Sequence, residues 1–225
     1  MKQDFKFIDR GKKHILVLIY GWAMDERIFS TLDLNFNYIL PLSSIKNSFE
    51  KDLFDYLNEN DFKDVSLLGW SLGSFLAVNF ATQYQDLVDQ VYLISIREKY
   101  DEDKIGQIKE MLKENKKAYL YSFYSECLND CGAINWFKKN LLKTYIKDFS
   151  LESLLKGLDF LKELSLDKEK LLKVKKLKII NGSLDRIAPL DEVLRWRKEL
   201  GEVKFTVIDG CGHAPFLLKD FNKYL

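Results

Sequence analysis

The sequence has few of the residues that build metal sites and disulfide frameworks. In 225 residues it contains two histidines and three cysteines, Cys127, Cys131 and Cys211. The cysteines are odd in number and lack the paired spacing of a zinc site. We therefore expect neither structural zinc nor a disulfide framework.

An excess of one charge and long apolar runs are missing too. With 35 basic and 34 acidic side chains the net charge is +1, which provides no overall electrostatic attraction for nucleic acid. No apolar run approaches the roughly 20 residues that cross a bilayer. Charged residues such as Asp4, Lys6 and Asp9 interrupt the N-terminal segment, which therefore lacks a signal-peptide pattern. We expect a cytoplasmic protein that binds neither nucleic acid nor membranes.

The sequence also lacks flexible linkers, since it has only three prolines and no Gly/Ser-rich stretch. Short β-rich runs alternate with helical patterns, which is typical of an α/β fold whose mainly parallel sheet is flanked by helices. The predicted strands are 5–8, 15–20, 38–40, 65–68, 91–96, 177–180 and 205–208.

Residues 97–170 break this alternation. They contain no convincing strand, and five leucines from Leu151 to Leu161 fall on one face of a helix. The segment predicts a helical lid inserted into one α/β core, which is formed by residues 1–96 and 171–225.

The sharpest motif is the G-x-S-x-G pentapeptide at 69–73. It follows the apolar run 65–68 and precedes a helical pattern. This strand-to-helix context is typical of a nucleophile elbow, in which a strained turn exposes the serine oxygen above a sheet. Ser71 is therefore the candidate nucleophile, and the alternative is a tight turn whose serine caps the helix.

A serine hydroxyl needs an adjacent base, and the two histidines differ in position. His14 opens an early strand, whereas catalytic groups gather beyond the carboxyl ends of parallel strands. His213 follows the last predicted strand in a glycine-rich loop. His213 is therefore the candidate general base, and His14 is expected to be structural.

The acid that orients the histidine should follow a strand between the serine and the histidine. Asp185 lies in the loop after the strand 177–180. Asp191 is an alternative to Asp185 for this role. However, Asp191 opens the predicted helix 192–200, where the helix dipole explains a carboxylate. Asp185 is the candidate third member of a catalytic triad.

The oxyanion of acyl transfer needs preorganised N–H donors. These are normally the backbone N–H after the nucleophile and one from the loop after an early strand. In this sequence they are Leu72 and Trp22, the latter following Gly21 after the strand 15–20.

With these motifs the chain resembles the α/β-hydrolase superfamily, and within it the pimeloyl-[acyl-carrier protein] methyl ester esterases of biotin synthesis. The resemblance rests on Gly21-Trp22, on the pentapeptide with Trp70 before the serine, on 182–185 and on 213–216. It implies a carboxylesterase with Ser71, Asp185 and His213 as triad, Trp22 and Leu72 as oxyanion donors and a lid that docks an acyl carrier protein. The chemistry of such an esterase needs no metal or organic cofactor.

Lysines in the lid support such a partner. Lys139, Lys143 and Lys147 recur every four residues, with Lys138 beside them, and on one helix they would form a basic stripe. The stripe fits an acidic carrier protein, although it equally fits a solvated helix face. Seven aromatic residues nearby could line an acyl channel or form the lid core: Tyr119, Tyr121, Phe123, Tyr124, Trp136, Phe137 and Tyr145.

Three functions remain open at this point. The first is the methyl ester hydrolase just described. The second keeps the fold and triad but acts on other small esters or thioesters, or as a lyase of menaquinone synthesis, because the fold does not decide the substrate. The third is a non-catalytic binding protein, against which the presence of all three triad residues argues.

Overall fold

A seven-stranded sheet forms the centre of the protein. The computed structural model describes residues 4–42, 45–128, 133–201 and 203–225. The strand order is β1-β3-β2-β4-β5-β6-β7, and only β1 is antiparallel to its neighbour. All seven predicted strands are confirmed: β1 (Asp4–Ile8), β2 (Ile15–Ile19), β3 (Asn37–Leu42), β4 (Val65–Trp70), β5 (Val88–Ile94), β6 (Leu177–Gly182) and β7 (Lys204–Ile208).

The helices follow the strands in the predicted alternation, and five of the described helices are inserted between β5 and β6. They are α1 (Phe49–Glu59), α2 (Leu72–Gln83), α3 (Glu102–Cys127), α4 (Ala133–Asn140), α5 (Leu142–Asp148), α6 (Leu151–Glu163), α7 (Lys168–Lys173) and α8 (Leu190–Glu199). The inserted helices are α3 to α7, and α7 contacts α2 of the core.

The core is deepest around β4 and α2. All six residues of β4 are buried, as expected for a parallel strand covered on both faces. The helix α2 is apolar on nearly every side, because it lies between the sheet and the helices α1 and α7. Its first turn is therefore fixed at the end of β4, where Ser71 lies.

The inserted helices are attached to the loop that follows β2. Trp22 Nε1 donates to the carbonyl of Leu154 at 3.1 Å, and the Tyr124 hydroxyl donates to the carbonyl of Ala23 at 2.8 Å. The predicted leucine face is confirmed in α6, where Leu154, Leu158 and Leu161 are buried. The insertion thus covers the sheet at the carboxyl end of β2.

Two expectations from the sequence concern disulfides and membrane-spanning segments. Cys127 and Cys211 are free and buried, while Cys131 lies outside the described residues. No helix in the described ranges is both long and apolar enough to cross a membrane.

Candidate active site

Ser71 lies on a strained turn between β4 and α2. Its φ of +55° and ψ of −118° are unfavourable for a residue with a side chain. The turn needs Gly73, because a Cβ there would lie 2.2 Å from the carbonyl oxygen of Ile19 on the neighbouring strand. The serine N–H donates to the carbonyl of Ile94 at 2.9 Å, which fixes the turn to β5. This local geometry raises the hydroxyl above the sheet edge.

Asp185 and His213 meet beyond the ends of β6 and β7. The imidazole Nδ1 lies 2.9 Å from Asp185 Oδ2 and 3.1 Å from Oδ1. Asp185 Oδ1 also accepts the backbone N–H groups of Ile187 and Ala188, at 2.9 and 2.8 Å. Both side chains are almost fully buried. Nδ1–H donation to the carboxylate leaves Nε2 as an acceptor, which is the tautomer that a general base needs.

Further hydrogen bonds join the loops that carry this pair. Ser183 Oγ donates to Asp209 and accepts the N–H of Gly210, both at 2.9 Å. The indole N–H of Trp70 donates to the carbonyl of His213 at 2.7 Å. Trp70 precedes Ser71, so this bond connects the histidine loop directly to the nucleophile turn.

Comparison with known proteins finds relatives of low identity that cover almost the whole chain. No family model matches the chain. A pimeloyl-[acyl-carrier protein] methyl ester esterase of Vibrio vulnificus strain CMCP6 is 23% identical over 240 residues, covering 96% of this chain and 94% of that protein. The protein of that name from Wigglesworthia glossinidia brevipalpis is 26% identical, covering 92% and 89%.

Solved structures match almost the whole chain. The esterase of Exiguobacterium antarcticum superimposes with a TM-score of 0.79 at 17% identity, covering 96% of this chain and 90% of that one. A bromoperoxidase of Bacillus anthracis gives a TM-score of 0.80 at 20% identity, covering 97% and 92%. The chain has the α/β-hydrolase fold. With curated esterases similar over almost its whole length, it is an enzyme of the ester hydrolase class.

The remaining candidates are Leu72, Trp22, His14 and Asp191. Leu72 is the first residue of α2, so its N–H has no acceptor within the helix. Trp22 follows β2, the strand beside β4, and a Cβ on Gly21 would lie 3.1 Å from Ser71 Cβ. His14 lies exposed at the amino end of β2, and Asp191 lies exposed in the first turn of α8.

The hydrolase has a cavity of about 230 Å³ above Ser71, between the sheet edge and the inserted helices. Tyr119 and Phe123 line it, together with Trp22 and the apolar residues Ile105, Ile108, Leu158 and Leu161. Tyr124, Phe137 and Tyr145 are instead buried within the insertion, Trp136 is partly buried against the same core, and Tyr121 is exposed. The seven aromatic residues are thus divided between the cavity, the packing of the insertion and its surface.

Tyr100 is a site residue that the sequence did not reveal. Its hydroxyl lies 3.2 Å from Ser71 Oγ, and its side chain lines the cavity. It lies in the loop after β5, and no motif distinguishes it from the other tyrosines. The one feature that could have identified Tyr100 from the sequence is its position after a strand that neighbours β4.

The sequence suggested a basic stripe on one helix, but the structure divides its four lysines between two helices. Lys138 and Lys139 lie on α4, whereas Lys143 and Lys147 lie on α5. The interruption occurs at Leu141, whose φ of −122° is too extended for an α-helix. All four lysines are exposed. Lys138 Nζ lies 5.5 Å from the ring centre of Tyr121.

Proposed function

We propose that this hydrolase is a serine carboxylesterase, with Ser71 as nucleophile, His213 as general base and Asp185 as the carboxylate that orients the base. The observation that carries the proposal is the buried Asp185–His213 pair, which lies at the same sheet edge as the strained Ser71. A carboxylate on Nδ1 favours the tautomer whose Nε2 accepts a serine proton.

The reaction would proceed in two steps. Ser71 Oγ attacks the ester carbonyl carbon while its proton passes to His213 Nε2, and the backbone N–H groups of Trp22 and Leu72 stabilise the oxyanion. His213 then protonates the departing alcohol. A water molecule, deprotonated by the same histidine, attacks the acyl-enzyme and releases the acid.

For the substrate we propose the methyl ester of a pimeloyl chain on an acyl carrier protein, in biotin synthesis in the cytoplasm. Two observations support this choice. The relatives carrying that name are similar over almost the entire chain, although at 22–26% identity. One part of the cavity lining, formed by Ile105, Ile108, Leu158 and Leu161, is apolar, as an acyl chain requires, while charged residues such as Lys104 and Arg186 line another part.

Residues 97–170 would act as the lid, and its lysines would bind the carrier protein. In the part of the chain that the structure describes, no carboxylate forms an ion pair with Lys139, Lys143 or Lys147. Their charges are therefore available to an acidic surface or to the phosphate of a carrier's prosthetic group.

The first experiment measures hydrolysis of methyl pimeloyl-carrier protein by the wild type and by Ser71→Ala. We expect a loss of about 10⁴-fold or more in kcat for the variant. Ser122→Ala, an exposed serine on α3, is the matched control and should retain activity. Ser71→Ala should also fail to react with a fluorophosphonate and fail to restore growth of a biotin-requiring strain that lacks its esterase. Undiminished hydrolysis by Ser71→Ala would contradict the mechanism.

Substrate choice is tested by comparing carrier-bound methyl pimeloyl ester with p-nitrophenyl esters and acyl-CoA thioesters. A preference for the carrier-bound ester supports the assignment, and a preference for thioesters favours the second function. A wild type that cleaves none of these substrates and does not label would favour a binding protein.

Docking is tested by charge reversal. Lys139→Glu/Lys143→Glu should raise KM for the carrier-bound substrate about 10-fold and leave kcat/KM for a small p-nitrophenyl ester unchanged. The matched control is Lys12→Glu/Lys13→Glu, at the amino end of β2 on the opposite edge of the sheet. Equal effects of the two double variants on KM would mean that the lid lysines form only a solvated face.

A further inference from the structure

The contact between Tyr100 and Ser71 involves the nucleophilic atom itself. A hydrogen bond of 3.2 Å joins the two hydroxyl oxygens. Burial raises the pKa of Tyr100 to about 12, so the phenol keeps its proton at neutral pH and remains a hydrogen-bond donor. Either hydroxyl could be the donor in this contact. A phenol that donates to Ser71 Oγ would by itself weaken the attack of the serine, so its position needs an explanation in the reaction.

Tyr100 and the oxyanion candidate Trp22 follow strands on opposite sides of β4. In the sheet β4 lies between β2 and β5, so Trp22 follows the strand on one side and Tyr100 follows the strand on the other. Asp185 and His213 follow β6 and β7, which lie beyond β5. Tyr100 therefore lies on the histidine side, where the leaving group must receive its proton.

The loop that carries Tyr100 is firmly held. Arg97 forms two hydrogen bonds to Glu192, at 2.6 and 3.0 Å, and one to the carbonyl of Ile187 at 3.0 Å. Its guanidinium lies 5.3 Å from the ring centre of Tyr100. The carbonyl of Glu98 accepts the N–H of Leu166 at 2.8 Å. The tyrosine is thus preorganised relative to the Asp185 loop, as electrostatic catalysis requires.

We propose that Tyr100 is a catalytic residue whose hydroxyl donates a hydrogen bond to the leaving-group oxygen. In the free enzyme the hydroxyl contacts Ser71 Oγ. When the tetrahedral intermediate collapses, the bond from carbon to the alkoxy oxygen breaks and His213 gives that oxygen its proton. Tyr100 stabilises the developing charge and keeps its own proton. This inference rests on the proposed serine esterase mechanism.

The test uses the dependence of the rate on the leaving group. Tyr100→Phe should lower kcat/KM for a methyl ester about 10- to 100-fold, since methoxide is a poor leaving group that needs stabilisation. It should lower kcat/KM less than about 3-fold for the p-nitrophenyl ester of the same acid, whose leaving group is already stable. Since kcat/KM reports acylation, deacylation does not enter the comparison. A structural role would lower both rates equally.

The control is Tyr84→Phe, which lies at the far end of α2 from Ser71 and should change neither rate. An equal loss on both esters, an unchanged methyl ester rate or a faster one would overturn the proposal for Tyr100. Failure of the esterase mechanism has a different signature, because Ser71→Ala would then keep its activity. If the carrier-protein assignment fails, this test still applies, because it can use the methyl and p-nitrophenyl esters of any acid that the enzyme accepts.

Discussion

The loops at the sheet edge are hydrogen-bonded to one another, whereas the helical insertion is hydrogen-bonded to the loop after β2. At the edge, the bonds join residues that end or follow different strands, as from Ser183 to Asp209 and Gly210 and from Trp70 to His213. The insertion is attached to the core by large side chains that reach across more than a hundred residues of sequence, such as Trp22 and Tyr124. We infer that changes at the edge alter the chemical step, whereas changes at the insertion alter stability and substrate binding.

The largest expected effect comes from Asp185→Asn. The amide oxygen can still accept the N–H groups of Ile187 and Ala188, so the loop should fold normally. Its NH₂ group, however, would face His213 Nδ1 and favour the wrong tautomer. We expect kcat to fall about 10⁴-fold, while the melting temperature changes by only a few degrees.

Asp191→Asn provides the matched control for that measurement. Asp191 is the competing acid, and it lies exposed in the first turn of α8. Steady-state kinetics on a p-nitrophenyl ester should show wild-type activity for this variant. The reverse result, with Asp191→Asn inactive and Asp185→Asn active, would reassign the acid and remove the difference between the two regions.

The contrast between the regions also explains what the sequence could predict. The strands and the positions of Ser71, Asp185 and His213 are set by local patterns, namely apolar runs followed by loops with glycine, and the structure brings Asp185 and His213 together as expected. Tyr100 could not be found in this way. Its contact with Ser71 depends on how far the loop after β5 turns back, which is fixed by Arg97 and its partner Glu192, 95 residues later.

The interruption at Leu141 was missed for a related reason. A four-residue spacing of lysines is compatible with one straight helix, and no proline or glycine marks the break. The buried residues Phe137, Leu141 and Tyr145 pack against the rest of the insertion and the core. Tertiary packing of this kind overrides local propensity, and one sequence does not contain enough information to predict it.

A smaller effect is expected at Gly157, where the insertion touches the active-site loop. A Cβ at this position of α6 would lie 2.8 Å from Cδ1 of Trp22, so the indole would have to move. We expect Gly157→Ala to lower the free energy of unfolding by about 1–2 kcal/mol, despite the better helix propensity of alanine. KM for esters should rise, because Trp22 forms part of the cavity wall.

Gly106→Ala separates the effect of that close contact on stability from the effect of helix propensity. Gly106 lies exposed on α3, and no atom lies within 4 Å of a Cβ built on it. Urea denaturation should show that this variant is up to about 1 kcal/mol more stable than the wild type. If Gly157→Ala were stabilised to the same extent, the packing of α6 on Trp22 would not contribute to the attachment of the insertion.

The smallest effect is expected at the outer end of the same interface. The Tyr145 hydroxyl donates to Asp25 Oδ1 at 2.8 Å, and Asp25 is also paired with Arg27. Because Arg27 remains as a partner, Tyr145→Phe should cost only about 1 kcal/mol in the free energy of unfolding. Tyr121→Phe, on the exposed face of α3, should cost nothing measurable. Both variants should keep the wild-type kcat, since neither hydroxyl contacts the sheet-edge loops that carry Asp185 and His213. A large fall in kcat for Tyr145→Phe would mean that the insertion positions the reacting groups as well as the substrate, and the separation between the two regions would not hold.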